Sequence, residues 1–209
     1  VELSRDTSRE AVWRSHIDDP RTPGRMVSRL RSLMMKDLPL PICRPILFFC
    51  IGTDRSTGDA LGPLTGSRLL AMGLDPSSIW GTLDSPVHAA NLHASIDEAY
   101  TAFRNPYVIA VDACLGRLEN VGMITVSKGP LRPGTGVSKT LPPVGDIHVT
   151  GIVNVGGYME YLVLQNTRLS VVAKMAEVIS KALSQVAREF AQMSQETPDN
   201  TGTLSTTCD

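Results

Sequence analysis

The stretch that most constrains this chain is Ile46 to Gly73, ILFFCIGTDRSTGDALGPLTGSRLLAMG. An apolar run from Ile46 to Ile51 stops abruptly at Gly52. It is too short to cross a bilayer and has the length and content of a buried strand. A polar loop follows, Thr53-Asp54-Arg55-Ser56-Thr57-Gly58. From Asp59 onward Leu61, Leu64, Leu69 and Leu70 recur at roughly helical spacing, and Gly73 is the expected stop. Strand, polar loop and helix N-terminus in that order mark the place where α/β folds gather their chemistry. Asp59 stands at that helix start.

The rest of the chain repeats the alternation. Ser78 to Leu83 reads as a weak strand, and His88 to Phe103 as a helix with Ala89, Leu92, Ile96, Ala99 and Phe103 on one face. Tyr107 to Val111 is a second strongly apolar strand, carrying Asp112 at its carboxyl end. Val121 to Val126 and Ile147 to Val155 are further strands, residues 158–165 fit either strand or helix, and a long amphipathic helix runs from Asn166 to about Ala191. Alternating strands and helices predict an α/β fold with a mostly parallel sheet covered on both faces. Strand carboxyl ends then share one edge, so the 53–58 loop and Asp112 are expected at one crevice. The Gly/Pro-rich loop from Lys128 to Gly145, about 18 residues, is longer than a connection needs, which points to function or mobility.

The 209 residues allow one domain with tails, here 45–193. Residues 1–44 read as an N-terminal arm with a short basic amphipathic helix, in which Met26, Leu30, Leu33 and Met34 share a face and Arg21, Arg25, Arg29, Arg31 and Lys36 decorate the rest. That helix either packs on the domain or docks on a partner or an anionic membrane surface. Residues 194–209 read as a disordered polar tail. A net charge of -1 offers no basic face for direct nucleic-acid binding, and no stretch reaches the ~20 apolar residues of a membrane span. The polar start is unlike a signal peptide, and Cys43, Cys50, Cys114 and Cys208 form no CxxC pair, so a reduced, cytoplasmic protein is expected.

Asp59 and Asp112 form the leading chemical constellation. Two neighbouring carboxylates do not readily both ionise, so one keeps a proton while the other serves as general base. The helix N-terminus favours charge on Asp59. Each aspartate also has an ordinary explanation: Asp59 as a helix cap, Asp112 as an acceptor of backbone amides. Asp54, Arg55, Ser56, Thr57 and Gly58 either line the site or form a plain turn. Neither GxGxxG nor GxxxxGK[ST] occurs, so nucleotide binding has no support. His148 with Asp59 and Asp112 has ligand types suited to a divalent metal, whereas His88 and His93 fit a partly solvated helix. Cys50 and Cys114 read as packing residues.

The strings IGTDRSTGDALGP, VIAVDACLG, GPLRPGTGVSKTLPPVGDI and GIVNVGGYMEYLVLQNTRLS together resemble the YyaC-type sporulation proteins of endospore-forming bacteria, from about Pro45 to about Val186. That family is more distantly similar to the spore germination protease, an atypical aspartic peptidase, and to the hydrogenase maturation endopeptidases. The resemblance implies a three-layer α/β sandwich with a twisted, mostly parallel central sheet, like that of the hydrogenase maturation proteases. It also implies an aspartic endopeptidase acting without metal or cofactor, with Asp59 in GDALGP and Asp112 in VDA as the catalytic pair. The PGTGV stretch, including Gly134, Thr135 and Gly136, resembles a loop of the germination protease. His148 stands where the maturation peptidases place a nickel-binding histidine, and Asn154 joins the expected substrate-binding residues. The implied partners are protein or peptide substrates, small acid-soluble spore proteins among them, in the forespore or spore core. A sporulation binding or regulatory protein without turnover, and a metal-dependent maturation peptidase, are the alternatives. The sequence leaves the oligomeric state open.

Overall fold

The computed structural model describes residues 12–40, 42, 44–133 and 141–195. Six strands form one sheet: β1 (Trp13–His16), β2 (Ile46–Cys50), β3 (Ile79–Trp80), β4 (Tyr107–Gly116), β5 (Met123–Lys128) and β6 (Ile147–Val155). Their spatial order is β1-β5-β6-β4-β2-β3. The pairs β6–β4, β4–β2 and β2–β3 are parallel, while β5 runs antiparallel to both β1 and β6. The sheet is therefore mixed and mostly parallel, and the fold is α/β.

Helices α1 (Thr22–Asp37), α2 (Leu61–Ala71) and α5 (Leu169–Gln195) bury one face of the sheet against Phe48, Cys50, Ile109, Val111, Ile124, Val126 and Val149. α3 (Leu92–Ala102) contributes Leu92 and Ala99 to a smaller cluster on the other face, with Leu47, Phe49, Val108 and Ala110. Leu131 and Val144, between β5 and β6, extend that second cluster, while neither β5 nor β1 contributes to it. The short helix α4 (Glu160–Gln165) lies at the carboxyl edge, so residues 158–165 hold a helix. Among the described residues, no helix is long and apolar enough to cross a membrane.

Residues 13–37 are part of the fold. β1 completes the sheet edge, pairing Trp13 with Val126 and His16 with Met123. Met26, Leu30, Leu33 and Met34 of α1 are fully buried, and Arg31 grips Glu189 of α5 through two nitrogens at 2.7–2.9 Å. The basic side chains of α1 drew the eye in the sequence, but its apolar stripe decides its place. The expected tail from residue 196 onward lies outside the described residues.

The strands also depart from the sequence reading in length. β4 extends to Gly116 because its second half keeps a partner in β6, with Asp112 opposite Thr150 and Gly116 opposite Val155. β2 accompanies only the first half, its last pair being Cys50 with Val111. Asp112 is thus the first residue of β4 beyond the end of β2. It sits in mid-strand with one flank vacated.

Candidate active site

The vacated flank is filled by the chain leaving β2. Ile51 N–H still donates to the Val111 carbonyl at 2.7 Å, and Gly52 then turns the chain at φ 143°, a conformation that favours glycine. A Cβ at Gly52 would overlap the Asp59 carbonyl oxygen, so loop and returning turn touch backbone to backbone. Asp59 lies in a single 3-10 turn, Gly58–Ala60, that leads into α2. Neither that turn nor α2 has a side-chain capping hydrogen bond, so the Asp59 carboxylate is not used as a cap.

Burial pushes the Asp59 carboxyl above its usual range, while the charge that His88 carries when protonated and the nearby Thr53 amide oppose the rise. Asp112 is only 9% exposed, and its carboxyl is held well above the usual range, first by burial and then by the negative charge of Asp59. A backbone N–H from Ala113 reaches its Oδ1 at 2.8 Å and works in the opposite direction. The two carboxylates therefore act on one another. Such a pair can hold one proton between two roles, with the more buried Asp112 protonated and Asp59 ionised.

Other residues singled out in the sequence fall in different places. Asp54 and Arg55 are exposed at the loop tip, and Arg55 N–H reaches the Thr53 hydroxyl at 3.3 Å. Ser56 is 8% exposed, and its hydroxyl has no hydrogen-bond partner among the described residues. Thr57 is half-buried, and its carbonyl accepts from Ala60 N–H at 3.3 Å. Gly58 is buried so tightly that a Cβ there would press on Leu164 and Thr167. Asn154 uses its amide to tie down that same segment, donating to the Val163 carbonyl and to the Thr167 hydroxyl at 3.3 and 3.2 Å. His148 stands opposite Ala110, two residues before the partner of Asp112, and its Nδ1 is 2.8 Å from the Gly129 carbonyl. Gly134, Thr135 and Gly136 lie outside the described residues.

His88 is the residue that the sequence reading missed. It precedes α3 rather than riding on it, in a turn where its N–H donates to Asn91 Oδ1 at 2.7 Å. Val87 bridges to Ile51 and accepts from Gly52 N–H at 2.8 Å, which brings the 81–88 loop to the end of β2 beside Asp59. The available signal was topological: the loop after β3 leaves the same sheet edge as Asp112. Among the described residues, no three His, Cys, Asp or Glu side chains are grouped to hold a metal ion. Cys50 is buried and its thiol is pushed up to about 12 by burial, which suits packing and not nucleophilic attack.

A family model described as "Protein of unknown function (DUF1256)" matches residues 14–182. The YyaC protein of Bacillus subtilis (strain 168) is 50% identical over 163 residues, which span 78% of this chain and 80% of that protein. Among solved structures, the [NiFe] hydrogenase maturation protease HycI from Thermococcus kodakarensis KOD1 is similar at 17% identity and a TM-score of 0.47, covering 74% of this chain and 99% of that one.

Proposed function

The chain belongs to the DUF1256 family and is a homologue of YyaC, and from that premise we propose that it is an aspartic endopeptidase using Asp59 and Asp112. The observation that carries this reading is buried Asp112, its carboxyl held above its usual range in part by the charge of Asp59, beside a less buried Asp59 at the carboxyl edge of a mostly parallel sheet. Asp59, whose charged form His88 favours against the rise that burial causes, takes a proton from a water molecule as that water attacks a peptide carbonyl. Asp112 gives its proton to the carbonyl oxygen as the water adds. When the tetrahedral intermediate collapses, Asp59 passes the proton it took from water to the departing amine while Asp112 recovers its own from a gem-diol hydroxyl. Tetrahedral collapse returns the pair to one proton. By the family resemblance, the substrates are proteins of the developing spore, small acid-soluble spore proteins first among them.

The test is cleavage of a purified small acid-soluble spore protein by the full chain and by Asp59→Asn and Asp112→Asn. Both substitutions keep shape and remove ionisation. Wild-type cleavage with a loss of at least about a thousand-fold in each folded variant supports the dyad, since base and acid contributions are typically 10²–10⁴-fold each. Unchanged cleavage in either variant rejects it.

A second reading has one observation behind it. Tyr158, Met159, Tyr161 and Leu162 are exposed around α4, next to the segment packed on Gly58. Such a rim suits a protein that binds a polypeptide at this edge without cutting it. Peptide binding by wild type, with no cleavage in a broad substrate screen, selects that reading.

A further inference from the structure

The face of the sheet that carries Asp112 also carries a straight row of side chains. Asp112 of β4 is opposite Thr150 of β6, Thr150 is opposite Thr125 of β5, and Thr125 is opposite Arg14 of β1. Directly paired residues on adjacent strands project to the same face. The row therefore reads carboxyl, hydroxyl, hydroxyl, guanidinium. The two threonine hydroxyls hydrogen-bond each other, which confirms the shared face.

Two features make the row more than a pattern. No residue of β6, β5 or β1 belongs to the apolar cluster on this face, and the row lies beside one buried apolar side chain of β6, Ile152, opposite Cys114. Arg14 is exposed, and no carboxylate among the described residues pairs with it. Its charge nevertheless reaches inward. Burial pushes the Cys114 thiol of β4 up to about 11, and the Thr150 hydroxyl and the Arg14 charge both oppose that rise.

We propose that Arg14 anchors a carboxylate of the bound polypeptide, so that the substrate runs across β6 and β5 along the threonine row toward Asp112. This deepens the peptidase reading and rests on it for the meaning of Asp112. Three strand spacings of ~4.8 Å put Arg14 about 14 Å from Asp112, a span of about four residues of extended chain. The carboxylate is either an Asp or Glu side chain at that distance from the scissile bond or the terminal carboxylate of a chain that ends there. Arginine is suited to both, because its planar fork meets a carboxylate through two parallel hydrogen bonds.

The test uses labelled, C-terminally amidated decapeptides in which a single Glu is walked along an otherwise neutral sequence, together with truncated versions ending in a free carboxylate. Affinity is read by fluorescence anisotropy on the full chain, on Arg14→Gln and on Arg14→Glu. One Glu register is expected to bind wild type about ten-fold more tightly than the neutral parent, and Arg14→Gln to lose that gain. Arg14→Glu is expected to prefer Lys at the same register. Preference for the truncated peptides alone assigns the anchored group as a chain terminus. Equal affinities for wild type and Arg14→Gln, or no binding at all, overturn the proposal. Incubating the same peptides with wild type separates the two readings: selective binding without cleavage leaves the Arg14 anchor standing and rejects the peptidase, and cleavage indifferent to Glu does the reverse.

Discussion

At the scale of single residues, Asp112 places a carboxyl where it costs stability. Its pKa in the fold lies above that of the unfolded chain, so the folded state binds the proton more tightly. The sign follows directly. The unfolded aspartate loses its proton near the ordinary value of about 3.9, and above that pH the fold is penalised increasingly until the raised pKa is passed. Asp112→Asn keeps the Oδ1 that accepts from Ala113 and removes the penalty. We expect the variant to melt higher than wild type at pH 7, by about 2–4 °C for each ~1 kcal/mol relieved. The gain should shrink toward zero as the pH approaches 4. Calorimetry across that range checks it, and a variant that melts lower at pH 7 refutes the assignment of a buried, proton-holding Asp112.

At the scale of elements, the unit β2–loop–α2 depends on backbones that meet without side chains between them. A Cβ at Gly62 would overlap the Ile51 carbonyl, a backbone atom that cannot swing away. Gly62→Ala should therefore cost several kcal/mol or prevent folding, despite alanine being the better helix former by about 1 kcal/mol. Urea unfolding of the purified variant decides this, and wild-type stability would show that α2 can slide on β2. This unit was legible in the sequence because the apolar run, Gly52 and the leucine spacing are local signals. The full length of β4 was not, because Asp112 to Gly116 owes its strand conformation to β6, far along the chain. His88 stayed hidden for a related reason. Local periodicity assigned it to a helix, and only the pairing of β3 with β2 brings its loop to Asp59.

At the scale of the whole molecule, the burial of α1 decides what can be removed. Met26, Val27, Leu30, Leu33 and Met34 are at most 3% exposed. At ~1.5–3 kcal/mol per buried side chain they contribute on the order of 10 kcal/mol, comparable to the entire stability of a typical domain. A chain lacking residues 1–37 should show no cooperative thermal transition by circular dichroism. A sharp transition in that truncated chain would return α1 to the status of an appendage. The sequence left open whether α1 packs on the domain or docks on a partner, because its apolar stripe is visible in one dimension while its partner, α5, lies more than a hundred residues away.

The antiparallel edge of the sheet has a further consequence, for the order in which the protein is made. β1 precedes its partner β5 in the chain by roughly a hundred residues, so the strand waits for the sheet that will receive it. The β2–β4 unit bearing both aspartates can meet before that. A nascent chain at that stage holds the two carboxylates without the Arg14 cation across from them.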